Sequence, residues 1–281
     1  DVYKRQTYSL VWANLAQVYS VTGKLDKAEK SFKNILNMEP NNGLIWAEYG
    51  TVLTKLANYK DGKEAYLKAL DFKPDSPRVH LSLGHVYKTM GEIDKSIDSY
   101  KNTISQNKLS GEAYWSLANL KTYSFSENEI KEMEKTLKED MSDVERSQMH
   151  FALGKALEAK RDFDNSYQNY FEGNRIKKEQ IKYSSKDTTE NTKRILSFFN
   201  LENIKNIAES STNDRDPIFV LGMPRSGSTL IDQIISSHSK VDGTQELPNI
   251  IKIAAELNAD KKNSYPEILN ELKDNEITEI I

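Results

Sequence analysis

The sequence predicts a mainly α chain: a superhelix of stacked helix pairs, followed by the start of an α/β domain built on a glycine-flanked loop. Three observations carry this. Residues of one kind recur every 34 positions in the first half: Trp12 and Trp46, Gly50 and Gly84, Phe32, Tyr66 and Tyr100, Pro40 and Pro74. A short apolar run, Ile218–Leu221, leads into Gly222-Met-Pro-Arg-Ser-Gly227. Behind it, apolar residues at 230, 231, 234 and 235 follow helical spacing.

Taken in order, residues 1–6 (Asp-Val-Tyr-Lys-Arg-Gln) resemble the translated end of a transposon adapter used in sequencing libraries. They are expected to be a scar outside the fold. The first repeat reads Trp12-x2-Leu15-Ala16-x2-Tyr19, then Gly23, Ala28, Phe32 and Pro40. The second carries Trp46, Tyr49, Gly50, Tyr59, Gly62, Tyr66 and Pro74, and the third His80, Leu83, Gly84, Tyr87, Gly91, Ile93, Ser96 and Tyr100. A fourth begins at Tyr114-x2-Leu117-Ala118 and then departs, with capping-box patterns at Ser126–Glu129 and Ser142–Glu145. The fifth, His150-x2-Leu153-Gly154 with Phe163, Ser166 and Tyr170, starts 36 residues after the fourth.

These units resemble the tetratricopeptide repeat, whose pattern is W-x2-L-G-x2-Y…A-x3-F…P. Small residues sit where paired helices cross, and aromatic residues fill the gaps between them. No pair buries its apolar face alone, so stacking makes a curved superhelix with a groove for a protein or peptide partner. Trp12, Trp46 and Trp115 read as packing residues. His80 and His150, in the slot that holds tryptophan in the first repeats, read as packed histidines rather than ligands. The expected segments are repeats over 7–183, a helical linker over 184–216, and the first part of an α/β domain over 217–281. Within the linker, Ser184–Thr189 is the expected break, and Ser210–Asp216 is turn-rich.

Bulk composition excludes several classes. Charged residues make up 29% and the net charge is −3, so no basic field invites nucleic acid. No cysteine is present, which removes disulfides, thiolate metal sites and cysteine catalysis. A reducing compartment, the cytoplasm, is the expected location. The four histidines form no metal motif. No apolar run reaches the roughly 18 residues of a membrane span.

The loop carries the chemistry. Ile218–Leu221 reads as a buried parallel strand. Gly222 and Gly227 permit turns that aim successive N–H groups at one anion, and a helix N-terminus adds to the attraction. Pro224 stiffens the loop, while Ser226, Ser228 and Thr229 offer hydroxyls. A triphosphate loop reads G-x-x-x-x-G-K-[ST]. Here Ser228 stands at the lysine position and Arg225 is the loop's cation, which argues against a nucleotide kinase.

Pro224-Arg-Ser-Gly-Ser-Thr229 resembles the 5′-phosphosulfate loop of sulfotransferases. With Leu230, Ile234 and His238 behind it, it looks most like the tyrosylprotein sulfotransferases. It is also similar to bacterial proteins joining tetratricopeptide repeats to a sulfotransferase domain, and that likeness extends through Trp115–Tyr123 and His150–Leu157. The resemblance implies 3′-phosphoadenosine 5′-phosphosulfate as donor, no metal, and a hydroxyl acceptor on a protein tyrosine or glycan. It implies that Arg225 offsets charge on the leaving oxygen, and that Gly222, Pro224, Ser226, Gly227, Ser228 and Thr229 help hold the 5′-phosphosulfate. Gly243-Thr-Gln-Glu246 places Glu246 where the family carries its general base. Glu246 has a second reading as a helix-terminal carboxylate, and His238 reads as a helix-end residue rather than a catalytic one. The chain stops inside a helical pattern, and the family's 3′-phosphate site is expected beyond residue 281. A protein-interaction module with an incomplete, inactive transferase remnant therefore stands as the alternative.

Overall fold

The repeat register determines how the helices meet. In the computed structural model, an added Cβ at Gly50 would lie 2.9 Å from the Tyr66 ring, at Gly84 2.4 Å from Tyr100, and at Gly154 3.1 Å from Tyr170. In these three pairs a glycine on the first helix thus lets one aromatic of the second pack directly against it. Twelve positions after the small residue, Ser96 donates to the Gly84 carbonyl (2.8 Å) and Ser166 to that of Gly154 (2.7 Å). Both serines are buried and their hydroxyls are satisfied at the crossing.

The structure describes residues 2–181, 183–200, 203, 218–223, 225–243, 249–259 and 265–272; for residues 2–10, 249, 250 and 259 it describes the backbone alone. The chain divides into two compact units, residues 1–182 and 183–281. The first holds five helix pairs: α1 (Val2–Val21) with α2 (Leu25–Met38), α3 (Gly43–Lys55) with α4 (Tyr59–Phe72), α5 (Pro77–Thr89) with α6 (Ile93–Gln106), α7 (Gly111–Ala118) with α8 (Glu127–Thr136), and α9 (Asp143–Ala159) with α10 (Phe163–Gln180). This is the mainly α tetratricopeptide superhelix that the sequence predicts. Helix α1 runs from Val2, so its backbone takes in residues 2–6 of the segment expected to lie outside the fold.

Three apolar clusters follow one another along the stack. Ala16, Ala28, Phe32 and Ile35 meet Val52 of the next pair, and Tyr66 and Ala69 meet Val79, Leu83 and Val86. The largest joins Tyr100 to Tyr114, Leu117, Met133, Met149 and Leu153. Burial of side chains this size contributes about 1.5–3 kcal/mol each. The fourth pair departs as expected: α7 has eight residues, packs chiefly on α9, and is joined by α8 through Ile130 and Met133.

Capping fixes where these helices start. Ser126 and Glu129 make the full reciprocal capping box. Ser142 caps α9, but the Glu145 carboxylate reaches instead to the free Gly111 and Glu112 N–H groups of α7, at 2.5 and 3.3 Å. The second expected box is therefore half a box. A carboxylate at the start of another helix serves the same unsatisfied donors, and it ties two repeats together.

The second unit contains α11 (Ser185–Phe198), α12 (Ser228–Ser236), α13 (Asn249–Ala259) and a 3-10 turn at Glu267–Asn270. The break expected across Ser184–Thr189 falls earlier, because Ser184 accepts from the Asp187 N–H and starts α11. Phe198, Leu257, Pro266 and Ile268 are each buried, and Arg194 bonds the Tyr265 carbonyl and faces Glu267 at 3.6 Å.

The expected buried strand is not present. Residues 218–221 form no ladder, and Ile218, Phe219 and Leu221 are 60%, 70% and 89% exposed. A parallel strand is held by neighbours on its edges and helices on its faces, and among the described residues this run has neither. No helix among the described residues is long and apolar enough to cross a membrane.

Candidate functional site: an anion loop at a helix N-terminus

Arg225 and Gly227 define the loop through their backbone. Both lie in the left-handed region, with φ of 69° and 92°. Glycine enters that region freely, whereas an arginine there costs of order 1–2 kcal/mol. The turn is closed by the Ser226 N–H donating to the Met223 carbonyl at 3.0 Å. Gly222 lies under Ser226: a Cβ on Gly222 would stand 2.4 Å from the Ser226 hydroxyl. A side chain at Gly222 would make the Ser226 hydroxyl turn away, and at Gly227 glycine is favoured by φ.

Gly227 is the N-cap of α12, and its carbonyl accepts from the Leu230 and Ile231 N–H groups at 3.0 and 3.1 Å. The N–H groups of Gly227, Ser228 and Thr229 have no hydrogen bond among the described residues. Three unbonded donors at the positive end of a helix dipole are an arrangement that attracts negative charge. The structure thus brings together Gly222, Arg225, Ser226, Gly227, Ser228 and Thr229, with the Arg225 side chain exposed on the loop. Pro224 and Glu246 lie outside the described residues.

The segment that leads toward Glu246 returns along α12. A Cβ on Gly243 would lie 2.7 Å from the Ser236 Cβ, so glycine lets the chain pass close to the helix. His238 sits at the end of α12, its N–H donating to the Ile235 carbonyl and its Nδ1 accepting from the Lys240 N–H at 3.2 Å. It is a helix-end residue, as its sequence position suggests.

In the repeat unit, a second set of side chains links successive first helices. The Tyr100 hydroxyl meets His85 Nδ1 at 2.9 Å, and His85 Nε2 meets Glu112 Oε1 at 3.2 Å. The carboxylate accepts, so in a neutral imidazole Nε2 carries the proton and Nδ1 accepts from the phenol. The hydrogen bond from His85 holds the Glu112 carboxyl below the usual range, and burial pushes the Tyr100 phenol up. One repeat further, Lys155 donates to Asn119 at 2.9 Å and lies 5.9 Å from the Trp115 ring, which packs on Phe151. Sequence reading did not single out this set, yet it has a signature: Thr51, His85, Asn119 and Lys155 share one repeat position, polar each time beside a buried small residue. Gln148, at the repeat position of Glu112, has a buried side-chain oxygen without a hydrogen-bond partner.

The histidines in the tryptophan slot are packed. The Trp46 indole donates to the Pro40 carbonyl at 2.7 Å, and His80 Nε2 makes the equivalent bond to Pro74 at 3.1 Å. His150 Nδ1 meets Asn169 at 2.9 Å. Among the described residues, no group of three or more metal-binding side chains is placed to hold an ion.

Fold and site together define a helical-repeat protein that continues into a glycine-flanked loop at a helix N-terminus. A family model described as the sulfotransferase family matches residues 217–279, and tetratricopeptide-repeat models match residues 10–42, 50–91 and 77–107. The chain therefore carries tetratricopeptide repeats joined to a sulfotransferase-family segment. An uncharacterized protein of Aquifex aeolicus (strain VF5) is 29% identical over 235 residues, covering 82% of this chain and 30% of that protein. A TPR repeat-containing protein of Methanocaldococcus jannaschii is 31% identical over 100 residues, 36% of this chain and 17% of its own length. The chain thus spans less than a third of the length of these two relatives. Among solved structures, MamA 41-end from Desulfovibrio magneticus RS-1 is similar with a TM-score of 0.48 and 17% identity, over 62% of this chain and 97% of that one.

Proposed function

We propose that the protein is a cytoplasmic sulfotransferase that moves a sulfuryl group from 3′-phosphoadenosine 5′-phosphosulfate to a hydroxyl on a protein tyrosine or a glycan, without a metal. The repeats bind the acceptor or a partner protein. The observation that carries this reading is the Gly222–Thr229 loop: three unbonded N–H groups at a helix start, a cation at Arg225, and serine where a triphosphate loop carries lysine. When bound, the donor supplies a sulfuryl group joined to its 5′-phosphate as a mixed anhydride; the sulfur–oxygen bond to that phosphate breaks as the acceptor oxygen bonds to sulfur, and the nucleotide leaves with its 5′-phosphate.

Gly227, Ser228 and Thr229 hold that phosphate through backbone N–H groups, and Ser226 adds a hydroxyl. Arg225 offsets negative charge on the oxygen between phosphorus and sulfur as that bond breaks; a guanidinium aimed at developing charge acts through preorganisation. Glu246 takes the acceptor hydroxyl's proton as its oxygen bonds to sulfur. In the repeats, the concave surface that stacked helix pairs form is the expected place for a peptide-like partner.

A sulfate-transfer assay tests the assignment. Arg225→Ala is expected to lower turnover about a hundredfold or more, and Glu246→Gln by a similar or larger factor. Binding of 3′-phosphoadenosine 5′-phosphate, followed by calorimetry, is expected to weaken in Arg225→Ala. Undiminished activity in both variants overturns the residue roles. Magnesium-stimulated ATP hydrolysis overturns the reaction class in favour of a triphosphate enzyme.

A further inference from the structure

Two structural demands meet at the start of α3. Asn42 is the N-cap: its Oδ1 accepts from the Ile45 N–H at 3.3 Å, its Nδ2 donates to Glu39 Oε2 at 2.9 Å, and its backbone carbonyl accepts from the Trp46 N–H at 3.1 Å. The next residue has to be small. A Cβ on Gly43 would lie 3.0 Å from the Phe72 Cβ and 3.1 Å from the Ala69 carbonyl oxygen, where the first turn of α3 passes the last turn of α4. Capping and close passage together write Asn42-Gly43, the one Asn-Gly pair of the chain.

That pair has a chemistry of its own. Glycine carries no Cβ, so its backbone nitrogen is open to the carboxamide carbon of the asparagine before it. As the first residue of α3, Gly43 has an N–H with no acceptor inside the helix. The cap bond to Ile45 is longer than the usual N–H···O range of about 2.7–3.2 Å, so it holds the carboxamide weakly. The turn borders an open cleft of about 630 Å³, lined in part by Leu44, Phe72 and Lys73, which leaves room for the side chain to swing and for water to enter. Asn58 is the internal contrast. It caps α4 in the same way, accepting from the Asp61 N–H at 3.4 Å and donating to the Asp61 carboxylate at 2.8 Å, but the bulky Tyr59 follows it.

We propose that Asn42 is a site of spontaneous deamidation in the folded chain, reached by opening of the first turn of α3 alone, with water as the co-reactant. The Gly43 nitrogen gives up its proton and bonds to Asn42 Cγ; the Cγ–Nδ2 bond breaks, and Nδ2 leaves as ammonia. The cyclic imide so formed takes up water. Opening between Cγ and nitrogen gives aspartate at position 42, and opening at the backbone carbonyl carbon gives isoaspartate, whose main chain runs on through Cβ and Cγ. No electrons are exchanged. Isoaspartate lengthens the α2–α3 turn by one carbon and turns the carbonyl that held the Trp46 N–H into a free carboxylate near Glu39. The same turn carries the Pro40 carbonyl that accepts from the Trp46 indole at 2.7 Å. The modification thus loosens the junction of the first two repeats, and does so irreversibly. It goes beyond the proposed transfer reaction and does not depend on it.

Peptide mapping by mass spectrometry tests the site on the full chain, aged in mildly alkaline buffer with and without guanidinium. Cleavage at lysines places Asn42 in peptide 34–55 and Asn58 in peptide 56–60. In the folded chain Asn42 is expected to convert, faster as pH rises because the attacking nitrogen must lose its proton, while Asn58 stays intact. Asn42→Ser keeps a capping hydroxyl and is expected to abolish the product. Gly43→Ala keeps the carboxamide and is expected to slow its loss. Hydrogen exchange of the aged wild type is expected to quicken in residues 25–55 and stay unchanged in residues 143–180, with no such change in aged Asn42→Ser. An Asn42 that stays intact in the folded chain, over the time in which the unfolded chain converts, would show that the fold protects the pair. An Asn58 that converts as fast would remove the role of glycine, and equal loosening in aged Asn42→Ser would place its cause elsewhere. Each of these results overturns the proposal.

Discussion

A single backbone position repeats through the stack: Gly23, Ala57, Gly91 and Arg161 occupy the same turn between paired helices, with φ of 75°, 60°, 78° and 64°. Two of the four are not glycine, and each such residue in the left-handed region costs of order 1–2 kcal/mol. Replacing Ala57 by glycine removes that strain, at an entropic cost of roughly 0.5–1 kcal/mol from the freer unfolded chain. The strain is the larger effect, so Ala57→Gly is expected to stabilise the chain by about 0.5–1 kcal/mol. Gly91→Ala is the mirror test: nothing lies within 4 Å of its added Cβ, so any loss comes from backbone alone. Urea unfolding checks both, as a shift of midpoint with an unchanged slope. If Ala57→Gly destabilises, the turn is not strained. The glycines were legible in the sequence, but Ala57 and Arg161 were hidden because a left-handed conformation shows only where glycine marks it. The equivalence of His80 to Trp46 was legible too, since an imidazole N–H reaches the same carbonyl as an indole N–H.

Within elements, the crossing of α5 and α6 rests on one missing side chain. Alanine is a better helix former than glycine by about 1 kcal/mol, so an exposed Gly→Ala change in a helix stabilises. At Gly84 the new Cβ would stand 2.4 Å from the Tyr100 ring, and Tyr100 is fully buried and held by His85. Overpacking of this kind costs typically 1–3 kcal/mol, which exceeds the propensity gain. Gly84→Ala is therefore expected to lower stability by about 1–2 kcal/mol, and Gly84→Ala with Tyr100→Phe to recover little, because the ring and not the hydroxyl is in the way. Thermal unfolding of the two variants decides it; a more stable Gly84→Ala would show that the helices cross with room to spare. Helix pairs were readable because their pattern is local and repeated. The Ile218–Leu221 run was misread for the opposite reason: four apolar residues describe a strand only when a sheet receives them, and no window of sequence contains that sheet. Glu145 illustrates a milder case, where the pattern announced a donor-seeking carboxylate and the fold supplied the donors of another helix.

At the scale of the whole molecule, burial is uneven, and the unevenness predicts where the chain opens first. The repeat unit concentrates the apolar core, with Tyr100, Leu117, Met133 and Met149 at 0–1% exposure in one cluster. In the described part of the second unit, buried side chains are few, and α12 has none while Leu230, Ile231 and Ile234 lie exposed along it. Local opening free energy follows buried apolar contact, so amides of α5, α6 and α9 are expected to exchange with solvent deuterium only through near-global unfolding. Those of α12 are expected to exchange through cheap local opening, despite their helical hydrogen bonds. A ligand that binds the folded loop and not the open one raises the opening cost by RT ln(1 + [L]/Kd), about 2.7 kcal/mol at a hundredfold excess over Kd. Saturating 3′-phosphoadenosine 5′-phosphate is thus expected to slow exchange in residues 226–235 by about a hundredfold, leaving α5 and α6 unchanged. Hydrogen exchange read by mass spectrometry measures both regions in one experiment. Uniform protection with and without the nucleotide would mean that α12 draws its stability from something other than the anion, and that the loop is not where the nucleotide binds.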